Sequence, residues 1–246
     1  MPVQDDERER ELARLFNLNW DATHARGGED AELEIDAGDG KHYRFSVEVK
    51  SNTGVTVSTA RDVGLDHIGK WRRKLFVIGF YLPGGRRPEL QKSLCLTPID
   101  MEPWIASIDL KIAPDFKIAE WASRRLTLQD LFDVCGEQDT YSIDDAKRLL
   151  KQQWSGNQYK AARDVRVGPR LCISQQGMLD ILRLRSKYIS ERGATLNNPH
   201  ITKTHLKQFW GTDREIPVRG DCSAAIRRIA LSFLRDHPGH PTAVVI

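Results

Sequence analysis

Residues 31–51 read AELEIDAGDGKHYRFSVEVKS. Leu33 and Ile35 alternate with Glu32, Glu34 and Asp36, and beyond Gly38-Asp39-Gly40 the residues Tyr43, Phe45, Val47 and Val49 alternate with Arg44, Ser46, Glu48 and Lys50. An alternation of period two marks a strand with one dry and one wet face, and two such runs joined by a Gly-Asp-Gly turn predict a β-hairpin. Before it, residues 7–18 place Leu12, Leu15 and Phe16, with Asn19 next, at helical spacing behind a charged face, which predicts an amphipathic helix followed by a Gly27-Gly28 turn. After it, the polar stretch TGVTVSTARDVG (53–64) leads to a helical LDHIGKWRRK (65–74) and then to the apolar run LFVIGFYL (75–82), read as a buried strand closed by Pro83-Gly84-Gly85. The order helix, hairpin, helix, strand predicts an α/β (α+β) fold, a mixed β-sheet flanked by helices.

Residues 86–140 carry Pro88, Pro98, Pro103 and Pro114 and give no clear element. From Ser142 the pattern turns helical and basic. Ser142 with Asp145 forms a variant capping box, and Ser174 caps a longer helix with an apolar stripe of Met178, Ile181, Leu182, Tyr188 and Ile189 that stops at Gly193. A short helix HLKQFW (205–210) and a final one, SAAIRRIALSFL (223–234), complete the chain. The expected division is a core at 1–140 and a basic, mainly helical region at 141–246, packed as one compact unit with the core.

The chain has 246 residues with 37 Lys+Arg against 34 Asp+Glu, a formal charge of +3. Residues 1–146 carry −8 and residues 147–246 carry +11, so the C-terminal part is expected to cover phosphates. A hydrophobic fraction of 40% is enough for a core and argues against disorder. No apolar run approaches the roughly 20 residues of a membrane span, and the acidic opening MPVQDDERERE is unlike a signal peptide, so a cytoplasmic protein is expected. Cys95, Cys135, Cys172 and Cys222 are too far apart for a zinc site and read as reduced core thiols.

The constellation that can carry chemistry is Asp30 with Glu48-Val49-Lys50. Phosphodiester hydrolysis calls for Mg²⁺ beside the phosphate, held by hard oxygens. Glu48 and Lys50, at i and i+2 of a strand, share one face while Val49 points into the core, and Asp30 at the mouth of the partner strand can join them. In this reading Asp30 and Glu48 hold the metal, and Lys50 orients or helps deprotonate the attacking water. The tripeptide alone is weak, because it recurs at 109–111, 115–117 and 145–147. Only Glu48-Val49-Lys50 ends an alternating strand behind an acid at the mouth of a preceding one. The rival pair, Asp100 with Asp109-Leu110-Lys111, is interrupted by Pro103 and Trp104.

Asp30-x17-Glu48-x-Lys50, behind a helix containing Glu9-Arg10-Glu11-Leu12, resembles the PD-(D/E)XK nuclease superfamily, with Glu29 where a proline often stands. Residues 28–51, 57–81 and 196–212 further resemble, in that order, the catalytic hairpin, the recognition segment with its helix, and a C-terminal Asn-Asn-Pro turn of type II restriction endonucleases. The resemblance implies a restriction-endonuclease-like core, Asp30, Glu48 and Lys50 as the catalytic set, and DNA-facing residues in the stretch from Ser58-Thr59 and at Asn197 and Asn198. It departs at Ala60-Arg61-Asp62, where a related enzyme has histidines that read bases, and at Trp71, where one has a tyrosine near the active site; a long N-terminal dimerising segment is also largely absent. The catalytic assignment survives these departures, but a target sequence does not transfer.

Arg61 can read guanine through O6 and N7, and Asp62 can accept from cytosine N4; the alternative is a surface loop with a local salt bridge. Asn-Asn-Pro is also ordinary turn chemistry. His67 reads as packed or solvated, and Glu9, Glu11, Glu32 or Glu34 is a possible extra metal ligand. The expected activity is that of a Mg²⁺-dependent type II restriction endonuclease cutting double-stranded DNA at a palindromic site as a homodimer, without an organic cofactor. The alternatives are a structure-specific or defence nuclease of the junction-resolvase kind, and a non-catalytic DNA-binding module.

Overall fold

A computed structural model describes residues 4–20, 30–38, 40–83 and 89–246. The first elements are α1 (Gln4–Leu15), β1 (Asn19–Trp20), β2 (Ala31–Asp36), β3 (His42–Asn52), α2 (Leu65–Trp71), β4 (Lys74–Tyr81) and β5 (Leu90–Leu96). A long helix α3 (Pro98–Arg124) leads to α4 (Leu128–Cys135), β6 (Thr140–Tyr141), α5 (Ile143–Leu150) and α6 (Gly156–Ala161). The chain continues with β7 (Val165–Val167), β8 (Arg170–Ser174), α7 (Gln175–Ala194), α8 (Lys203–Lys207), β9 (Glu215–Pro217), α9 (Cys222–Asp236) and β10 (Ala243–Val245). The Gly27-Gly28 turn, Glu29, Asp39 and Gly84-Gly85 lie outside the described residues.

Contacts divide the chain into Met1–Leu110 with Leu196–Ile246, and Lys111–Thr195. This differs from the expected boundary at 140/141. Residues 196–246 belong to the first unit because β9 pairs with β5 and β10 with β3, and residues 111–140 belong to the second. The charge asymmetry changes with it: unit 1 holds 22 basic and 23 acidic residues, and unit 2 holds 15 and 11.

Unit 1 is built on a mixed sheet of order β1-β2-β3-β4-β5-β9, with β10 also on β3. The hairpin forms as the alternation requires, with Leu33 opposite Phe45 and Ala31 opposite Val47. Past the hairpin β3 continues, parallel to β4, from Ser46↔Lys74 to Asn52↔Phe80, with α2 in the crossover. Every residue of β4 is buried, as its unbroken apolar run implies for a central strand. Leu33, Phe45, Val47, Val49 and Val77 join Leu12 and Phe16 of α1 and Ile226, Ile229 and Phe233 of α9 in one core, which leaves Glu48 and Lys50 on the opposite face of β3. Leu15, read as part of the stripe of α1, is 43% exposed. At Gly79 the packing is closest: a Cβ there would stand 2.7 Å from Leu12 Cδ1.

The proline-rich middle holds β5 and α3. Pro98 occupies the first helical position, where its missing N–H is harmless, but Pro103 and Pro114 deprive the carbonyls of Ile99 and Leu110 of their helical donors. Leu110, Ile118 and Trp121 are exposed, so α3 has no clean apolar stripe for a periodicity reading to find.

In unit 2, α4, α5, α6 and α7 surround a three-stranded sheet of order β6-β8-β7. Its core contains Leu131, Tyr141, Ala146, Leu150, Tyr159, Ile173 and Met178. The Ser142 and Ser174 caps form as read, accepting from Asp145 N and Gly177 N. Tyr188 and Ile189 are exposed, and α7 runs one residue past Gly193. Cys95 and Cys222 are buried, whereas Cys135 and Cys172 are only half-buried. Among the described residues no helix is long and apolar enough to cross a membrane.

Candidate active site

Asp30, Glu48 and Lys50 converge across the hairpin. Lys50 Nζ lies 2.9 Å from Asp30 Oδ2 and 2.9 Å from Glu48 Oε1, and donates to the Val49 carbonyl at 3.1 Å. Asp30 Oδ2 also accepts the backbone N–H of Val49 at 3.1 Å, which fixes the acid to the strand that carries the other two. The side chains of Asp30 and Lys50 keep 18% and 14% of their surface, so the cluster opens to solvent. Two carboxylate oxygens and one carbonyl oxygen therefore surround a single cationic position.

Burial alone would raise the Glu48 carboxyl, but the ammonium groups of Lys50 and Lys74 outweigh it and bring its pKa down to about 2. For Lys50 burial works downward, while Glu48, Asp30 and Glu9 more than reverse it and push the ammonium above its ordinary range. Lys50 is thus a firmly charged donor at neutral pH. The second oxygen of Glu48 accepts from Lys74 Nζ at 2.8 Å, and Lys74 is buried. The sequence reading missed Lys74, because it began the buried strand one residue later, at Leu75. Only the parallel register brings Lys74 to the site: it opposes Ser46, two residues from Glu48 on the same face, and no local sequence pattern discloses that pairing.

The other acids have separate tasks. Glu9 acts on Lys50 through its charge. The Tyr81 hydroxyl donates to the Arg8 carbonyl at 3.1 Å, and its pKa is raised first by burial and then by the negative charge of Glu11. Glu32 and Glu34 both turn to Arg44, at 3.4 and 3.1 Å. The rival pair lies along α3: Asp100 caps the helix start and holds Arg214 at 2.8 Å, and Asp109 pairs with Arg72 at 3.0 Å. Among the described residues no group of three or more His, Cys, Asp and Glu is arranged to hold a metal. His67 is half-buried, accepts the Gly64 N–H on Nδ1 at 3.3 Å, and has its pKa lowered, first by burial and then by Lys70. Trp71 is buried against Trp104, with ring centroids 5.0 Å apart.

The two segments read as DNA-facing lie side by side. Bridges Val57↔Ile201 and Val63↔Leu196 zip residues 57–63 to 196–201. Asn198 Oδ1 accepts the Thr59 N–H at 3.0 Å, Thr59 Oγ1 donates to the Pro199 carbonyl at 2.6 Å, and Ser58 Oγ lies 3.4 Å from His200 Nδ1. Asn198, at φ +51°, is therefore engaged in shaping the loop, whereas Arg61, Asp62 and Asn197 are exposed.

No family model matches this chain, and no curated protein and no solved structure matches it either.

Proposed function

We propose that this protein is a Mg²⁺-dependent endonuclease of the restriction type, cutting double-stranded DNA at a specific, palindromic site as a homodimer. The observation that carries the proposal is the convergence of the Asp30 and Glu48 carboxylates with the Lys50 ammonium in one cluster across the hairpin. Hard oxygens with two carboxylates suit Mg²⁺, which keeps several waters and takes few protein ligands. Asp30 and Glu48 would hold it. When bound, the ion supplies charge for the scissile phosphate and an acidified water. Lys50 contributes an ammonium whose raised pKa favours orienting a phosphate oxygen or the attacking water over removing a proton from it. Lys74 holds the far oxygen of Glu48, so the carboxylate presents Oε1 toward Lys50. The zipped loops 57–63 and 196–201 offer Arg61, Asp62 and Asn197 as base readers, with Ser58, Thr59 and Asn198 positioning them.

The test is incubation with phage DNA and Mg²⁺, read on a gel. Discrete fragments are expected. A smear, or cutting confined to branched junctions, favours a structure-specific or defence nuclease with the same acids, and retarded but intact DNA favours a binding module. Asp30→Ala and Lys50→Ala are each expected to lower cleavage by at least about a hundredfold while the fold is kept. Wild-type cleavage by both variants overturns the assignment.

A further inference from the structure

Unit 2 has a surface that the cleavage chemistry does not use. Between Lys151 and Arg170 the chain has five basic residues, Lys151, Lys160, Arg163, Arg166 and Arg170, and one acid, Asp164. That acid is engaged internally, accepting Ser174 N at 2.6 Å and Ser174 Oγ at 2.5 Å. None of the five cations forms an ion pair with a described carboxylate, whereas Lys147 and Arg148 just before them pair with Asp144 and Asp145. Local structure explains how such a strip stays in the open. The α5 helix buries Ala146 and Leu150, and a turn through Lys151 and Gln152, both at positive φ, leads to α6, which buries only Tyr159. That single anchor leaves Gly156, Asn157, Lys160 and Ala161 outward: two small residues, one amide and one ammonium.

The following hairpin pairs Val167 with Arg170 and Arg166 with Leu171, so Arg166 and Arg170 stand on opposite faces of a narrow ribbon. Its base is tied to β6, with Tyr141 opposite the fully buried Ile173. Two helices joined by a short turn, the second lightly anchored and outward, are the arrangement that lays a helix in a major groove. A ribbon with a cation on each face matches the two phosphate walls of the neighbouring groove. The deep, narrow major groove of A-form RNA would not admit the helix.

We propose that unit 2 is a DNA-docking head in its own right, with α6 in the major groove of duplex DNA and the β7–β8 ribbon on the adjacent backbone. The inference goes beyond the nuclease reading, since such docking needs no cleavage. Binding of the full-length protein to a fluorescein-labelled, mixed-sequence DNA duplex, in EDTA and across a salt series, tests it. The triple variant Lys160→Ala/Arg166→Ala/Arg170→Ala is expected to bind at least about tenfold more weakly at low salt and to lower the slope of log K against log salt by about 2 to 3. A control removing three exposed cations of unit 1, Arg219→Ala/Arg228→Ala/Arg235→Ala, is expected to keep the wild-type slope. Wild-type binding by the first variant, equal losses in both, or a preference for duplex RNA overturns the proposal. Matching melting curves exclude unfolding, and the single variant Arg166→Glu supplies the same readout if the triple one is unstable. Failure of the wild type to cut DNA in Mg²⁺ removes the nuclease reading and leaves this one standing.

Discussion

Glu48 divides its two oxygens between Lys50 and Lys74, and this has measurable pH consequences. Its folded pKa of about 2 lies below the ordinary 4.5, so its ionised form stabilises the fold above pH 4.5, and that contribution is lost as pH falls toward 2. Glu48→Gln is expected to lose roughly 2–3 kcal/mol at neutral pH, with the wild-type and variant stability curves converging in acid; curves that stay parallel down to pH 2 contradict the assignment. Lys74→Met removes one of the two ammonium groups. The Glu48 pKa should move up from about 2, shifting the acid limb of unfolding to higher pH, and cleavage should drop about tenfold as the carboxylate loses its orientation. Unchanged acid unfolding would mean that Lys74 only fills space. At this scale the sequence disclosed Asp30, Glu48 and Lys50 because strand alternation is a local rule. It concealed Lys74, whose role depends on the partner strand's register, and it did not reveal that Asn198 is occupied in holding Thr59.

The elements that were legible are those with one dry face. The hairpin and α9 advertise their burial by period, β4, buried on both faces, by its apolar run, and the Ser142 and Ser174 caps by a side chain placed for a specific N–H. The α3 helix was not legible. Three prolines and a ring of exposed apolar residues conceal a helix that tertiary packing through Met101, Ile105 and Ile108 stabilises. Between α1 and the sheet, Gly79 is a strand residue chosen for what it lacks. Gly79→Ala should cost about 1–3 kcal/mol in a urea melt, because its new methyl meets the buried Leu12. Leu12→Ala should cost about 2–5 kcal/mol, and the double variant less than the sum, since the second change makes room for the first. Strict additivity would show that the two positions do not touch.

For the whole molecule, the asymmetry between sequence halves does not carry over to the folded units. Unit 1, which holds Asp30 and Glu48, also takes back the basic C-terminal residues and becomes nearly neutral, while unit 2 keeps a modest excess of cations. No local pattern signals such an interleaved arrangement, because pairing between distant strands leaves no periodic trace. The proposed cut through both strands of a palindrome requires two catalytic centres, so light scattering is expected to give about twice the 28.0 kDa chain mass at the concentrations used in the cleavage test. A monomer under those conditions would rule out a concerted double-strand cut. The strand bearing Glu48 and Lys50 acquires β10 as its last neighbour, from residues made roughly 200 positions after it. That pairing closes a loop of about two hundred residues, so β10 is expected to dock on β3 later in folding than the local β2–β3 hairpin forms.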